Sequence, residues 1–277
     1  MTTKNIKLTL LTASILFLAA CAKDTSSKAP DEQNHLAGNI IGGAKSTDSF
    51  QKKNGLVALI IRSKAGDGIC TGTLISKKII LTAAHCLDSS ESPIEMIAVV
   101  FTQNVDKASK ESLRFGVKIH AHELFAKTAG GPSAWNDIAL IKLNDEAPAG
   151  FKFARLPSVV MKPIAPQTPL LLAGYGMTEA GLNSVKDTSG VLMQVSDVEV
   201  AGLVYDNKEI VLQQNKRGAC NGDSGGPAFI KLSSTDLIQV GITSRGTPGC
   251  ADLSIYTSVA AHLDWISKTS NLLMATE

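Results

Sequence analysis

From Ile40 onward, apolar residues come in short runs, each closed by turn-forming residues. The clearest runs are Leu56–Ile61, Gly72–Ile75, Lys78–Thr82, Ile97–Phe101, Ile138–Leu143, Leu170–Ala173, Val195–Val200, Ala228–Leu232 and Leu237–Ile242. Each has strand length, and β-branched residues recur in most of them, so the pattern predicts a β-rich body. The last segment changes period. Val259, Leu263, Ile266 and Leu273 recur at near-helical spacing with Trp265 and polar residues between them, which predicts a C-terminal amphipathic helix docked on that body. No sequence repeat and no obvious linker interrupt the pattern, and a β body of this length suggests two packed barrels or sandwiches.

The first 39 residues follow a different pattern. Lys4 and Lys7 precede an uncharged run, Leu8–Ala20, too short for the roughly 20 residues that a membrane-spanning helix needs. Residues 1–20 therefore read as a secretory signal. The run ends Leu18-Ala19-Ala20-Cys21, which resembles the lipobox of bacterial lipoproteins, where the cysteine becomes the lipidated first residue. Ordinary signal cleavage among these small residues is the alternative. Residues 21–39 are polar, without apolar periodicity, and read as a tether or propeptide; fully extended, residues 22–39 reach roughly 60 Å. No later stretch is long and apolar enough to span a bilayer. The expectation is an exported protein, held in the cell envelope by lipid at Cys21, released from it, or both.

Composition narrows the class further. The chain of 277 residues is 44% hydrophobic and 19% charged, enough apolar content for a core and too much for wholesale disorder. Beyond residue 39 there are 23 basic and 22 acidic residues. Such a balanced domain offers nothing to a nucleic acid or another polyanion. Five cysteines make an odd number for an exported chain. With Cys21 lipidated or removed, Cys70, Cys86, Cys220 and Cys250 remain. Their spacing lacks the short pairs of a zinc site, and an oxidising compartment favours two disulfides. Spacing alone leaves all three pairings open.

Three stretches carry chemistry: Leu81-Thr-Ala-Ala-His85-Cys86, Asn136-Asp137-Ile-Ala-Leu-Ile-Lys-Leu143, and Cys220-Asn-Gly222-Asp223-Ser224-Gly225-Gly226-Pro227. A serine hydroxyl is a weak nucleophile at neutral pH. It needs a neutral imidazole to accept its proton and a buried carboxylate to fix the imidazole tautomer and support the imidazolium. His85, Asp137 and Ser224 supply these groups. The glycines around Ser224 permit a tight turn that aims the N–H groups of Gly222 and Ser224 at one spot, an oxyanion hole worth roughly 3–4 kcal/mol per donor. His35, His120, His122 and His262 have no such context and read as surface or satisfied core residues. The sequence Gly222-Asp-Ser-Gly-Gly226 also fits the nucleophile elbow of α/β-hydrolases, but that fold requires an acid and then a histidine after the serine, and only His262 follows.

These motifs, in this order, resemble the chymotrypsin-fold serine endopeptidases, the trypsin-like S1 family from which the general description of the triad derives. The resemblance runs from Ile40 to about Leu272 and makes residues 40–277 one peptidase domain. It implies an all-β fold of two six-stranded antiparallel β-barrels with a C-terminal α-helix. The implied reaction hydrolyses peptide bonds in proteins or peptides through an acyl-enzyme, with no metal or other cofactor, and the expected enzyme is a monomer. It also implies the pairings Cys70–Cys86 and Cys220–Cys250, each worth roughly 3–4 kcal/mol in the loop-closure description. Ser244 resembles the serine that hydrogen-bonds the triad aspartate, and Gly174-Tyr175-Gly176 resembles the Gly-Trp-Gly segment. A non-catalytic homologue that only binds is the alternative, although no triad residue is missing.

Two features depart from the tryptic pattern. The position six residues before Ser224, where tryptic enzymes carry an aspartate, is Gly218, followed by Ala219. With Gly246 and Ser254 as further pocket residues, the expectation is an uncharged pocket preferring apolar P1 side chains, since a buried substrate cation would lack a partner. Asp252 is the one acid near enough in sequence to reach the pocket. Arg245 replaces the usual Trp beside the substrate backbone, which suggests either a solvated edge residue or a taste for acidic residues at P2–P4. The second feature is activation. Ile40-Ile41-Gly42-Gly43 resembles the N-terminus that the family creates by cleavage, whose ammonium would pair with Asp223. That amine's pKa would rise above the free value of roughly 7.7–8.0, so its stabilisation holds below that value and is lost as pH climbs through the raised one. Asn39 precedes the bond, so an activating protease would need other than tryptic specificity.

Overall fold

A computed structural model describes residues 40–90, 92–125, 135–178, 188–233 and 236–275. The signal, the tether and Cys21 lie outside them. Six strands close the first barrel: β2 (Leu56–Ser63), β3 (Gly66–Ser76), β4 (Ile79–Thr82), β5 (Ile94–Val100), β6 (Leu113–Ala121) and β7 (Ala139–Leu143), in the spatial order β2-β3-β4-β7-β6-β5. All pairings are antiparallel, and β5 returns to β2 to close the ring. Closure leaves no free sheet edge.

The second barrel comprises β8 (Pro169–Gly174), β9 (Met193–Val204), β10 (Glu209–Gln213), β11 (Pro227–Lys231), β12 (Leu237–Gly246) and β13 (Leu253–Ser258). Their order is β9-β10-β13-β12-β11-β8, and β8 pairs back to β9, while the two-residue strand β1 (Ala44–Lys45) adds to the outside of β9. The predicted pair of six-stranded barrels is thus present, with one short extra strand on the second.

The nine apolar runs coincide to within a residue with nine of these strands or parts of them, because each places fully buried side chains in a core. Leu59, Leu74, Ile80, Leu140 and Ile141 fill the first barrel, and Leu170, Val195, Ile210, Leu212 and Tyr256 the second. Two of the strands that escaped the pattern, β6 and β13, have weak burial contrast. In β6 it is Gly116 that approaches the core, near Ile97 and Ile141, while Phe115, Val117 and Ile119 are exposed. In β13, Ser254 and Thr257 take inward places beside Tyr256.

A third cluster, including Leu56, Val100, Leu171, Tyr175 and Phe229, joins the barrels. Tyr175 is fully buried there, and its hydroxyl donates to Thr102 O at 2.7 Å and accepts from Gln51 Nε2 at 2.9 Å. Gln51 belongs to a short helix that the apolar pattern does not predict, α1 (Asp48–Asn54), capped by Thr47 and closed by Gly55 at φ 64°. The C-terminal helix appears as expected, α2 (Leu263–Ala275), and buries Ile266 and Leu273 against the first barrel.

Candidate active site

His85 opens a single 3-10 turn, His85–Leu87, directly after β4, where Cys86 is tied to Cys70 of β3. Asp137 precedes β7, the neighbour of β4 in the first barrel, so one barrel brings the imidazole and the carboxylate together. Asp137 has 0% exposure. Its Oδ1 accepts the backbone N–H of His85 at 2.9 Å, and its Oδ2 lies 2.7 Å from His85 Nδ1. With a carboxylate opposite Nδ1, that nitrogen carries the proton, and Nε2 is left to accept one.

The second barrel completes the environment of Asp137. Ser244 on β12 donates its hydroxyl to Oδ2 at 2.6 Å, and Thr257 on β13 donates to the Asp137 carbonyl at 2.9 Å. The aspartate is therefore gripped from both barrels, and charge-assisted donors offset the cost of burying it. Sequence reasoning found Ser244 but not Thr257, because its hydroxyl has no motif around it and reaches Asp137 only once β13 is docked.

Ser224 sits in the turn between Cys220 and β11. It shares a cleft of about 470 Å³ with His85, and lines a second cavity of about 490 Å³ on its other side. Gly222 has φ 93°, and a Cβ there would come within 2.8 Å of Gly176 Cα; Gly225 has φ 79°, and a Cβ there would meet Thr82 Oγ1. Both positions thus require glycine. Thr71 fixes the turn by donating its N–H to Ser224 O at 2.8 Å and its hydroxyl to Gly222 O at 3.0 Å. Among the described residues, neither the Gly222 nor the Ser224 N–H donates to a protein acceptor. An arrangement of this kind can remove a hydroxyl proton at Nε2 and receive an oxyanion on two N–H groups.

The model of the trypsin family matches residues 40–266. The chain belongs to the trypsin family. The family places it among the serine endopeptidases. It is 29% identical over 209 residues to a chymotrypsin of Phaedon cochleariae, covering 73% of this chain and 72% of that one. It is 28% identical over 216 residues to proproteinase E of Bos taurus, covering 72% and 83%. A similarity of 31% over 229 residues to coagulation factor XII of Cavia porcellus covers 73% of this chain but only 37% of that one.

As in the expectation for a trypsin-family chain, Cys70 pairs with Cys86 and Cys220 with Cys250. Cys70, Cys86 and His85 crowd within 4.8 Å of one another, yet both sulfurs are in the disulfide and offer no thiolate to a metal. Ala219, Gly246 and Ser254 line the cavity beside Ser224, together with Thr243, Arg245 and Cys250. Gly218 does not line it. Its N–H and carbonyl are spent on Ile41 at 3.0 Å each, and a Cβ there would collide with the buried side chain of Gln214. Gln214, which no motif marks, thus occupies the space a longer residue 218 would need. Asp252 also stays out of the lining and is exposed.

Arg245 does line the cavity, but its guanidinium forms a two-pronged pair with Glu209, at 2.8 Å on each arm. Glu209 is buried, so the cation is balanced from within. That argues against Arg245 as an attractor of acidic substrate residues and makes it a fixed edge of the pocket. Asp223, by contrast, has only backbone donors among the described residues. Its oxygens accept from Gly176 N at 2.8 Å and Cys220 N at 2.9 Å. It is 1% exposed, and burial pushes its pKa up to about 7 against those two hydrogen bonds. Ile40 is also fully buried and holds φ 55°, a conformation costly for a β-branched residue.

Proposed function

We propose that the protein is an exported serine endopeptidase in which Ser224 is the nucleophile, His85 the general base and then acid, and Asp137 the orienting carboxylate. The observation that carries this reading is the buried Asp137 carboxylate, bound at once by the backbone and ring of His85 and by Ser244. Ser224 Oγ attacks the scissile carbonyl as its proton passes to His85 Nε2. The oxyanion rests on the N–H groups of Gly222 and Ser224. His85 returns the proton to the leaving amine, an acyl-enzyme forms, and water releases it by the same steps in reverse roles. Asp137 stays ionised throughout, stabilising the imidazolium. Substrates are proteins or peptides, and an uncharged pocket formed by Ala219, Gly246 and Ser254 receives the P1 side chain.

The zymogen reading belongs to the same proposal. Cleavage before Ile40 frees an ammonium for Asp223, which has no cation among the described residues, and relieves the backbone of Ile40. Residues 1–20 are a signal, and lipid on Cys21 makes the uncut chain a bacterial envelope lipoprotein whose activation releases residues 40–277. The lipobox-like sequence ending at Cys21 supports the anchor and the bacterial setting.

Fluorophosphonate labelling followed by mass analysis tests the proposal on the full chain and on a chain beginning at Ile40, with Ser224→Ala as control. Label on Ser224 in the Ile40 form alone is the expected result. Equal labelling of both forms overturns the activation step. Absence of label from both folded forms overturns the enzyme reading and leaves a binding homologue.

A further inference from the structure

His262, at the start of the C-terminal helical segment, is 4% exposed, and both of its ring nitrogens face oxygens. Nδ1 lies 2.8 Å from the Ser258 carbonyl, and Nε2 lies 3.1 Å from Asn136 Oδ1. Asn136 is the residue before Asp137, in the left-handed region at φ 55°. Its Nδ2 donates to the Leu124 carbonyl at 3.3 Å. Carbonyl oxygens only accept. Ser258 O therefore demands a proton on Nδ1, and Leu124 O demands the amide NH₂ of Asn136. That leaves Asn136 Oδ1 against Nε2, which demands a second ring proton. Only the imidazolium satisfies all three contacts.

The surroundings oppose that cation. Burial comes first in lowering the His262 pKa and Lys208 adds to it, while the Ser258 carbonyl works the other way. His122, from the end of β6, meets His262 edge to face at 5.6 Å and stacks on Trp265 at 5.1 Å. His122 Nδ1 accepts the Leu124 N–H at 3.1 Å, and its own pKa is lowered by burial and by His262. Glu123 is turned to His120 at 2.7 Å and to the Trp265 ring N–H at 3.0 Å rather than to His262. Asp137, one residue along from Asn136, is a further nearby charge. When His262 is neutral, the conflict is resolved only if Asn136 turns its amide, offers NH₂ to Nε2 and abandons Leu124 O. Leu124 is 70% exposed, so water can replace that bond.

We propose that His262 and Asn136 form a proton-dependent positioning pair for Asp137: the protonated ring clamps the Asn136 side chain between two elements, and the neutral ring releases one side of that clamp. The pair touches no substrate. It acts through the backbone link from Asn136 to Asp137, and so rests on the proposed role of Asp137.

The test is the proton resonance of His85 Nδ1–H, in the bond to Asp137, followed through pH in the full chain carrying Ser224→Ala, which prevents self-cleavage. Turnover is not needed, so failure here is separable from failure of fluorophosphonate labelling. Two inflections are expected, one from His85 itself and one at the midpoint of His262, read independently from its ring nitrogens. The second vanishes in His262→Gln, which cannot titrate, and in Asn136→Ala, where His262 still titrates but has lost its link. A single inflection in the parent, or a second that survives in either variant, overturns the pair. Where exchange hides the proton, the nitrogen shifts of the His85 ring carry the same reading, and Asn136→Ala decides alone where His262→Gln does not fold.

Discussion

The two barrels share an architecture but differ in how completely their buried polar groups are satisfied. In the first, the strands enclose aliphatic side chains, and no buried side-chain oxygen or nitrogen of its described strands lacks a partner. In the second, the carbonyl oxygens of Gln194 and Gln214 are buried without one. The contrast repeats in the two buried aspartates. Asp137 is met by a histidine, a serine hydroxyl and a backbone N–H, whereas Asp223 has two backbone N–H groups. Unsatisfied polar groups cost stability. Gln194 and Gln214 belong to the barrel that carries Ser224, while Ser46 Oγ and Gln51 Oε1, just before and within α1, are also buried without a partner.

The largest expected effect breaks the comparison altogether, because the proposed chemistry draws on both barrels. His85→Ala from the first and Ser224→Ala from the second should each lower kcat by about a millionfold, with the double variant no worse than either single one. Additive losses, measured on one chromogenic peptide ester, would mean that the two residues do not act as a unit. Next, Ile80→Ala in the satisfied barrel should cost about 2–5 kcal/mol of unfolding free energy, since the cavity left behind cannot be refilled. Urea denaturation measures it.

The pH dependence sharpens the contrast between the aspartates. Asp223 has its folded pKa raised to about 7, above the unfolded value of roughly 3.9. Below the unfolded value both states are protonated, and the group contributes nothing to the difference. As pH rises from there the unfolded state ionises first, so stability falls until pH passes the folded pKa and then levels. Calorimetry between pH 4 and 8 should therefore show this loss in the uncut chain and not in the chain beginning at Ile40, whose ammonium reverses the balance. Parallel curves would mean that no ammonium reaches Asp223.

Much of this was legible before any coordinates. Nine strands announced themselves because each buries aliphatic residues. The motifs around His85, Asp137 and Ser224 stood out because their glycines, alanines and cysteines are as constrained as the reactive groups. β6 escaped because Gly116 takes the inward place while apolar residues face solvent, and α1 escaped because seven residues are too few to show a period. The expectation that His262 is a satisfied core histidine agrees with its burial and its two ring partners, but the sequence could not say that Ser258 O and Asn136 would be those partners.

The sequence by itself determined the class of fold, the order of the candidate catalytic residues and the glycines that the Ser224 turn cannot do without. Those properties depend on local geometry and on side-chain chemistry, which are written residue by residue. Tertiary structure alone decided that Gln214 fills the space beside Gly218, that Glu209 neutralises Arg245, that Thr257 braces Asp137 and that His262 faces two acceptors. Each of these joins residues 36 or more positions apart, except for the close pairs around Gly218 and Ser258. Even those depend on which way a loop is turned. Hydrogen bonds act over a few ångströms of space, and only the folded chain determines which atoms come that close.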